Sequence, residues 1–422
     1  MKPIRGSIPS ENLLAVNCVK LVLLNIAWNA FLIYLSQRSL KRPVPDSVSD
    51  VYDPEKYQTW RSYKIANKKI TVLSTIAQSV VEIILLVTNA YAAFAHLFPD
   101  NIWIQALSVV LLNTLATTVI NIPFSYYDTF VIEEKFGFNK STKKTFVTDQ
   151  IKNFLLDLIM NGLLTCLFAW LYTSFGNLFI LLFAVCIGLI SLILSFVYPL
   201  ISRLFNKFKP LEEGELRDSL LELMERHGYR VKAIEVMDAS RRSTHMNAYF
   251  TGLGPVKRIV LYDTLAESMT KDQICAVFAH EMGHGLHHDM AKNGLISMLN
   301  SLIIAVAAWL AVNFPEVYPA FGFDGINFGF AILLAGEILG ILSPLLGMCT
   351  SYFSCRMEYR ADAQAVAEGY GEGLVSALKF LARNELSDLS PDPLLVRLTY
   401  SHPTLDQRIT AIRACEEKQK QA

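Results

Sequence analysis

The chain of 422 residues is 52% hydrophobic and only 18% charged, with a mean hydropathy of +0.34, which is too apolar for an ordinary soluble enzyme. Its 38 Lys and Arg balance 38 Asp and Glu, so no global field favours nucleic acid or a charged protein partner. The seven cysteines, odd in number and without paired spacing, exclude a disulfide framework and a Cys-based zinc site.

The apolar residues are gathered in runs. A helix needs about 20 mostly apolar residues to cross the hydrocarbon of a bilayer. Seven stretches qualify: Leu13 to Leu35, Ile70 to Leu97, Trp103 to Ile122, Phe154 to Phe175, Leu178 to Ile201, Leu295 to Phe314 and Phe328 to Phe353. Lys20 interrupts the first and must snorkel or face protein. Lys2 and Arg5 precede that run, but no small-residue cleavage site follows it, so it reads as a retained span rather than a signal peptide. Basic residues crowd alternate connections, such as Arg38, Lys41 and Arg42 after the first span and Lys140, Lys143 and Lys144 after the third. The connections Phe98 to Ile102, Gly176 to Asn177 and Pro315 to Asn327 hold no Lys or Arg. The positive-inside rule then puts the basic loops, the segment Lys207 to Gly294 and the C-terminal tail on the cytosolic face. Glu82, Asp157 and Glu337 fall inside spans, where an ionised carboxylate facing lipid is costly, so each is expected to face protein or water.

Between the fifth and sixth spans the composition turns polar. Leu211 to His227 has helical periodicity, and three short runs read as strands: Ile234 to Met237, Ala248 to Thr251 and Arg258 to Tyr262, the last two separated by Gly252, Gly254 and Pro255. A capping box, Thr270 to Gln273, then opens a helix expected to run from Ile274 through Met290. These changes divide the chain into residues 1–205 with spans one to five, 206–294 as a small α/β metalloprotease unit, 295–355 with spans six and seven, and 356–422 as a C-terminal segment that completes the site.

That helix carries His280-Glu281-Met282-Gly283-His284. Histidines four apart sit about one turn from each other, so both imidazoles can reach one zinc ion. Glu281 projects beside them, where it can take a proton from a water that zinc has acidified. A third protein ligand is required, and no histidine occupies the position six beyond His284, which is Met290. Glu358 is the better candidate, with Asp362 one turn further on the same face, able to accept the remaining ring N–H of a ligand histidine. The expected cofactor is one zinc ion per chain. His287, His288 and Asp289 extend the zinc helix and read as its solvated end.

Several blocks in order resemble the type-one CAAX prenyl proteases, integral-membrane gluzincins. They are Pro123-Phe124-Ser125, Thr129 to Glu134 with Gly137 to Lys140, Asn247 to Phe250, Arg258 to Leu261, the zinc motif, Glu358-Tyr359 with Ala361-Asp362, and Ser401-His402-Pro403 followed by Arg408. The resemblance implies an α-helical integral membrane protein of seven transmembrane helices forming a barrel around an intramembrane chamber, with the α/β unit on the cytosolic side. It implies cleavage near a lipidated C-terminal cysteine, removing the aaX tripeptide, so the expected partners are a peptide or prenylated C-terminal peptide and the lipid bilayer, with no nucleic acid and a monomeric state. By the same carry-over Asn247 and Ala248 pair with substrate backbone as an edge strand. His402 helps stabilise the oxyanion, and Arg408 serves substrate binding by holding the site together. The membrane is that of the endoplasmic reticulum in a eukaryote and the cytoplasmic membrane in a bacterium. Two rival readings are a quality-control membrane protease acting on unprenylated proteins, with fewer spans, and a transporter or scaffold without catalysis.

Overall fold

The computed structural model describes residues 10–251 and 256–421. Lys2, Arg5, Gly252, Gly254 and Pro255 lie outside the described residues.

Seven long helices occupy the seven apolar stretches: α1 (Ser10–Ser39), α2 (Pro54–Val87), α4 (Ile102–Tyr127), α6 (Lys143–Phe175), α7 (Phe179–Phe205), α11 (Asp289–Asn313) and α12 (Phe328–Ala367). Short helices α3 (Ala90–Ala95) and α5 (Glu134–Phe136) fall between them. Among the described residues, five segments are long and apolar enough to cross a membrane, and one of these, Lys143–Leu194, holds α6 and the first part of α7. Caps set the starts: Asp53 accepts from Lys56 N–H at 2.7 Å ahead of Pro54, and Asn101 accepts from Trp103 and Ile104. Ile70 to Leu97 is not one continuous helix as expected. It breaks at Asn89, whose left-handed φ of 55° starts α3.

The outward faces explain the composition. On α6, Ile151, Leu155, Ile159 and Leu163 are all exposed at helical spacing, an apolar stripe suited to lipid. Asn153, Asp157 and Asn161, also exposed and four apart, lie on the opposite side of the same helix. Glu337 accepts from Asn25 at 3.1 Å, and Glu82 and Glu337 line a cavity of about 260 Å³ with Gln78, Tyr91 and Asn113. All three intraspan carboxylates therefore avoid the apolar stripes.

Beyond α7 lies a four-stranded sheet of β1 (Phe208–Pro210), β2 (Arg230–Met237), β3 (Ala248–Thr251) and β4 (Val256–Tyr262), ordered β1-β2-β4-β3. β2 and β4 run parallel, while β1 and β3 pair antiparallel at the two edges. β1 was not foreseen; its Pro210 is tolerated because it sits on an edge. The polar helix begins later than expected, as α8 (Glu215–Arg226), because Leu211 N–H continues the β1 edge by bonding Ile234 O at 2.8 Å.

After α9 (Asp263–Ser268), α10 (Lys271–Leu286) starts on the expected capping box, with Thr270 and Gln273 exchanging bonds of 3.3 and 3.0 Å. Its end differs from expectation. The helix does not run through Met290: His288 takes φ of 55°, and α11 begins at Asp289. The fold closes with α13 (Gly371–Asn384), α14 (Pro393–Thr399) and α15 (Leu405–Gln421). One core cluster joins Trp60 of α2, Leu220 of α8, Ile259 of β4, Phe278 and Ala279 of α10, and Ile409 of α15. A second, built on Phe168, Phe183, Tyr318 and Phe330, holds the far ends of the long helices.

A candidate metal centre between two helices

Helix α10 buries Ile274, Cys275, Phe278, Ala279 and Met282, and so presents His280 and His284 toward α12. The approach of α10 to α12 depends on Gly283, where an added Cβ would lie 2.9 Å from Cα of Ala361 and 3.0 Å from Cβ of Gln364. No other residue fits without displacing backbone. At that crossing Glu358 meets both histidines: His280 Nε2 is 3.5 Å from its Oε2 and His284 Nε2 is 3.4 Å from its Oε1. One ligand atom from each of the three residues lies within 4.8 Å of the others.

The donor set fits a zinc ion. Two neutral imidazoles and one carboxylate, with a side left open, is the pattern of a catalytic zinc site. Glu358 is buried, and its Oε2 has no hydrogen-bond partner. A buried carboxylate oxygen left this way is costly, and a cation in the cluster relieves it.

Each histidine is held from behind. His280 Nδ1 is 2.9 Å from Asp362 Oδ1, and His284 Nδ1 is 3.0 Å from Asp289 Oδ2. Asp362 also accepts two bonds from Arg408, of 2.6 and 3.0 Å, and Arg408 Nη1 approaches Glu358 at 3.5 Å. Asp289 was read from the sequence as part of a solvated helix end. It is instead 2% exposed, and it accepts from Arg360 at 2.9 Å and from Lys292 at 3.3 Å. The left-handed turn at His288 brings it back onto His284, and nothing in the local sequence but the histidine-rich run marks that turn. Burial would lower the pKa of His284, but the carboxylates of Glu358 and Asp289 outweigh it and, with no cation bound, raise it to about 9.

Glu281 is partly buried one residue after His280, and its charge is felt by His284 and Arg408. His402, largely exposed, places Nε2 3.4 Å from Glu358 Oε1 and takes a 2.8 Å hydrogen bond with Ser401. Asn247 stands farther along, where the chain enters β3. Its carbonyl accepts from Tyr262 at 3.0 Å, so by alternation the N–H of Ala248 points away from β4. That N–H is met by the side chain of Asn247 at 2.8 Å. The edge strand thus has an outward-facing donor, capped by the side chain of its own neighbour. The structure brings His280, His284, Glu358, Asp362, His402 and Arg408 into one cluster and sets Asn247 and Ala248 apart on the sheet edge.

Comparison with known proteins gives a consistent result. Residues 34–207 match the family model "CAAX prenyl protease N-terminal, five membrane helices", and residues 210–416 match "Peptidase family M48". The chain is 33% identical to CAAX prenyl protease 1 of Saccharomyces cerevisiae, over 94% of its own length and 95% of that protein. It is 28% identical to the CAAX prenyl protease 1 homolog of Homo sapiens, over 92% and 93%. The crystal structure of S. mikatae Ste24p superposes with a TM-score of 0.88 at 31% identity, covering 96% of this chain and 99% of that one.

Proposed function

The chain belongs to the CAAX prenyl protease branch of peptidase family M48, a multi-pass membrane metalloendopeptidase, and from this premise we propose that it removes the C-terminal tripeptide of prenylated peptides using one zinc ion held by His280, His284 and Glu358. The observation that carries the reading is the convergence of those three side chains on one point, with the buried Glu358 Oε2 lacking a hydrogen bond.

Zinc bound there would supply Lewis acidity, polarising the scissile carbonyl and making a water acidic enough to lose its proton near neutrality. Glu281 takes that proton and delivers it to the leaving amine. Asp362 and Asp289 accept from Nδ1 of the two histidines, which would leave Nε2 of both rings to hold the ion. His402, on the open side, donates to the developing oxyanion. Arg408 offsets the charge of the buried Asp362 and Glu358 rather than touching substrate. β3 receives the peptide as an added strand through the outward N–H of Ala248.

The polar stripe Asn153, Asp157 and Asn161 and the cavity beside Glu82 and Glu337 support a seven-helix barrel around a hydrated chamber. The division of the chain into four segments, the cytosolic placement of the metal centre, residence in the endoplasmic reticulum membrane and a monomeric state belong to the same reading. The test is the purified protein in detergent with matched farnesylated and unmodified peptides. Zinc-dependent release of the tripeptide from the farnesylated peptide is expected, with cleavage lost and metal retained in Glu281→Gln. Equal turnover of both peptides would favour a quality-control protease, and full activity in Glu281→Gln would overturn the mechanism.

A further inference from the structure

A second titratable cluster, away from the metal centre, is used by none of these steps. It surrounds His245, two residues ahead of Asn247. Glu385, at the end of α13, bonds Nδ1 of His245, and Glu133, in the π-helical turn after α4, lies 3.4 Å from Nε2. Phe138 stacks on the imidazole, with centroids 4.6 Å apart and planes 16° from parallel. Glu385 also accepts from the N–H of Met246 at 2.7 Å, and Thr264 donates to the carbonyl of His245 at 2.8 Å. Among the described residues, neither Glu133 nor Glu385 has a Lys or Arg ion-pair partner, so an imidazolium is the cation that reconciles them. The other groups facing the cluster add no positive charge: the Tyr63 hydroxyl bonds Glu133 at 2.7 Å, and Asp128 reinforces the negative charge of Glu133.

We propose that His245 is a positioning residue for substrate: as an imidazolium clamped between Glu133 and Glu385, it fixes the entry to β3 and with it the register in which a peptide adds to that edge. The clamp ties the strand to the π-helical turn after α4 on one side and to α13, which packs into the same core as the zinc helix, on the other. The proposal rests on β3 being the substrate strand. The hydrogen bonds to Glu133 and Glu385 raise the pKa of His245 to about 9 against the opposing effect of burial, so the clamp is charged at neutral pH and lost in alkali.

The experiment is steady-state cleavage of a farnesylated peptide by the full chain in detergent, with bound zinc measured for every variant. Strand pairing is made alike in the ground and transition states, so His245→Gln and Glu385→Gln should raise KM about tenfold while kcat changes less than about threefold. Zinc content should not change. Glu385→Gln keeps the side-chain size and reports even if the His245 variant is unstable. Wild-type KM should climb as pH passes about 9, and in His245→Gln that limb should vanish. His245→Arg, a fixed cation, should recover much of kcat/KM at pH 7. The proposal is overturned if both Gln variants keep wild-type KM, if they lower kcat alone, or if the alkaline limb survives in His245→Gln. Ala248→Pro, which removes the outward N–H itself, separates the layers. Should it raise KM where the His245 and Glu385 variants do not, the clamp alone is wrong; should it leave KM untouched, the strand assignment fails and takes the clamp with it.

Discussion

Asp289 Oδ2 stands 3.0 Å from Nδ1 of His284, mirroring the 2.9 Å approach of Asp362 to His280. Both imidazoles are thereby held at Nδ1 with Nε2 of each turned toward Glu358, although Asp289 follows the helix directly and Asp362 comes from the remote α12. Asp289 is itself braced by Arg360 and Lys292. Asp289→Asn keeps the shape but weakens the orienting charge, and metal affinity should fall about 10- to 100-fold. Competition with a chromophoric chelator measures this. An unchanged affinity would leave Asp289 a structural tie between α11 and α12.

Gly283 sits between the two histidines because a Cβ there would strike Ala361. Gly283→Ala must push α10 away from α12, and an overpacked contact of this kind costs about 1–3 kcal/mol. The same movement draws His280 and His284 away from Glu358. The expected outcome is a lowered unfolding temperature together with reduced zinc content. Wild-type zinc content in a destabilised variant would show that the centre tolerates a looser helix pair.

Much of this centre is legible in the sequence, because one helical turn brings His280 and His284 together whatever the surroundings. The pair Glu358 and Asp362 is legible for the same reason, as carboxylates four apart on a helix leaving the membrane. Asp289 is not, since its role needs the helix to break at His288, and histidine takes a left-handed φ too seldom for the histidine-rich run to mark a break. The break at Asn89 could have been read, asparagine being tolerant of that conformation. β1 is too short and too dependent on its partner β2 to show a pattern. The His245 clamp draws Glu133 and Glu385 from remote segments, and only tertiary packing joins them.

Metal binding should be strongly pH-dependent. Without the ion, Glu358 and Asp289 hold a proton on His284, with its pKa raised from the ordinary 6.5 to about 9. Below about 9 the ion must displace that proton, so affinity rises with pH; above it the ring is already neutral and the dependence flattens. Between pH 7 and 8.5 affinity should increase up to about tenfold per pH unit for this one proton. Calorimetry of the stripped protein in buffers of differing ionisation enthalpy would count the protons released. A count near zero from His284 would mean that the ring is neutral before the ion arrives.

Arg408 is the last element of the cluster, and its placement separates two roles. Carried on α15, which buries Ile409 and Ile412 beside it, the guanidinium spans both oxygens of Asp362 and reaches Glu358. Arg408→Ala would leave a buried carboxylate short of its main cation, a loss of about 3–5 kcal/mol where no water replaces it. Arg408→Lys keeps a charge but cannot bond both oxygens at once, so it should recover only part of the stability. If Arg408 holds the site together, both variants lower the unfolding temperature and the zinc affinity, Ala more than Lys, with KM nearly unchanged in the zinc-loaded fraction. If it binds substrate instead, the Lys variant would keep its zinc and its stability and show a raised KM. Thermal unfolding and zinc content measured beside the kinetics of Arg408→Lys decide between them, and the 11% exposure of this side chain favours the first.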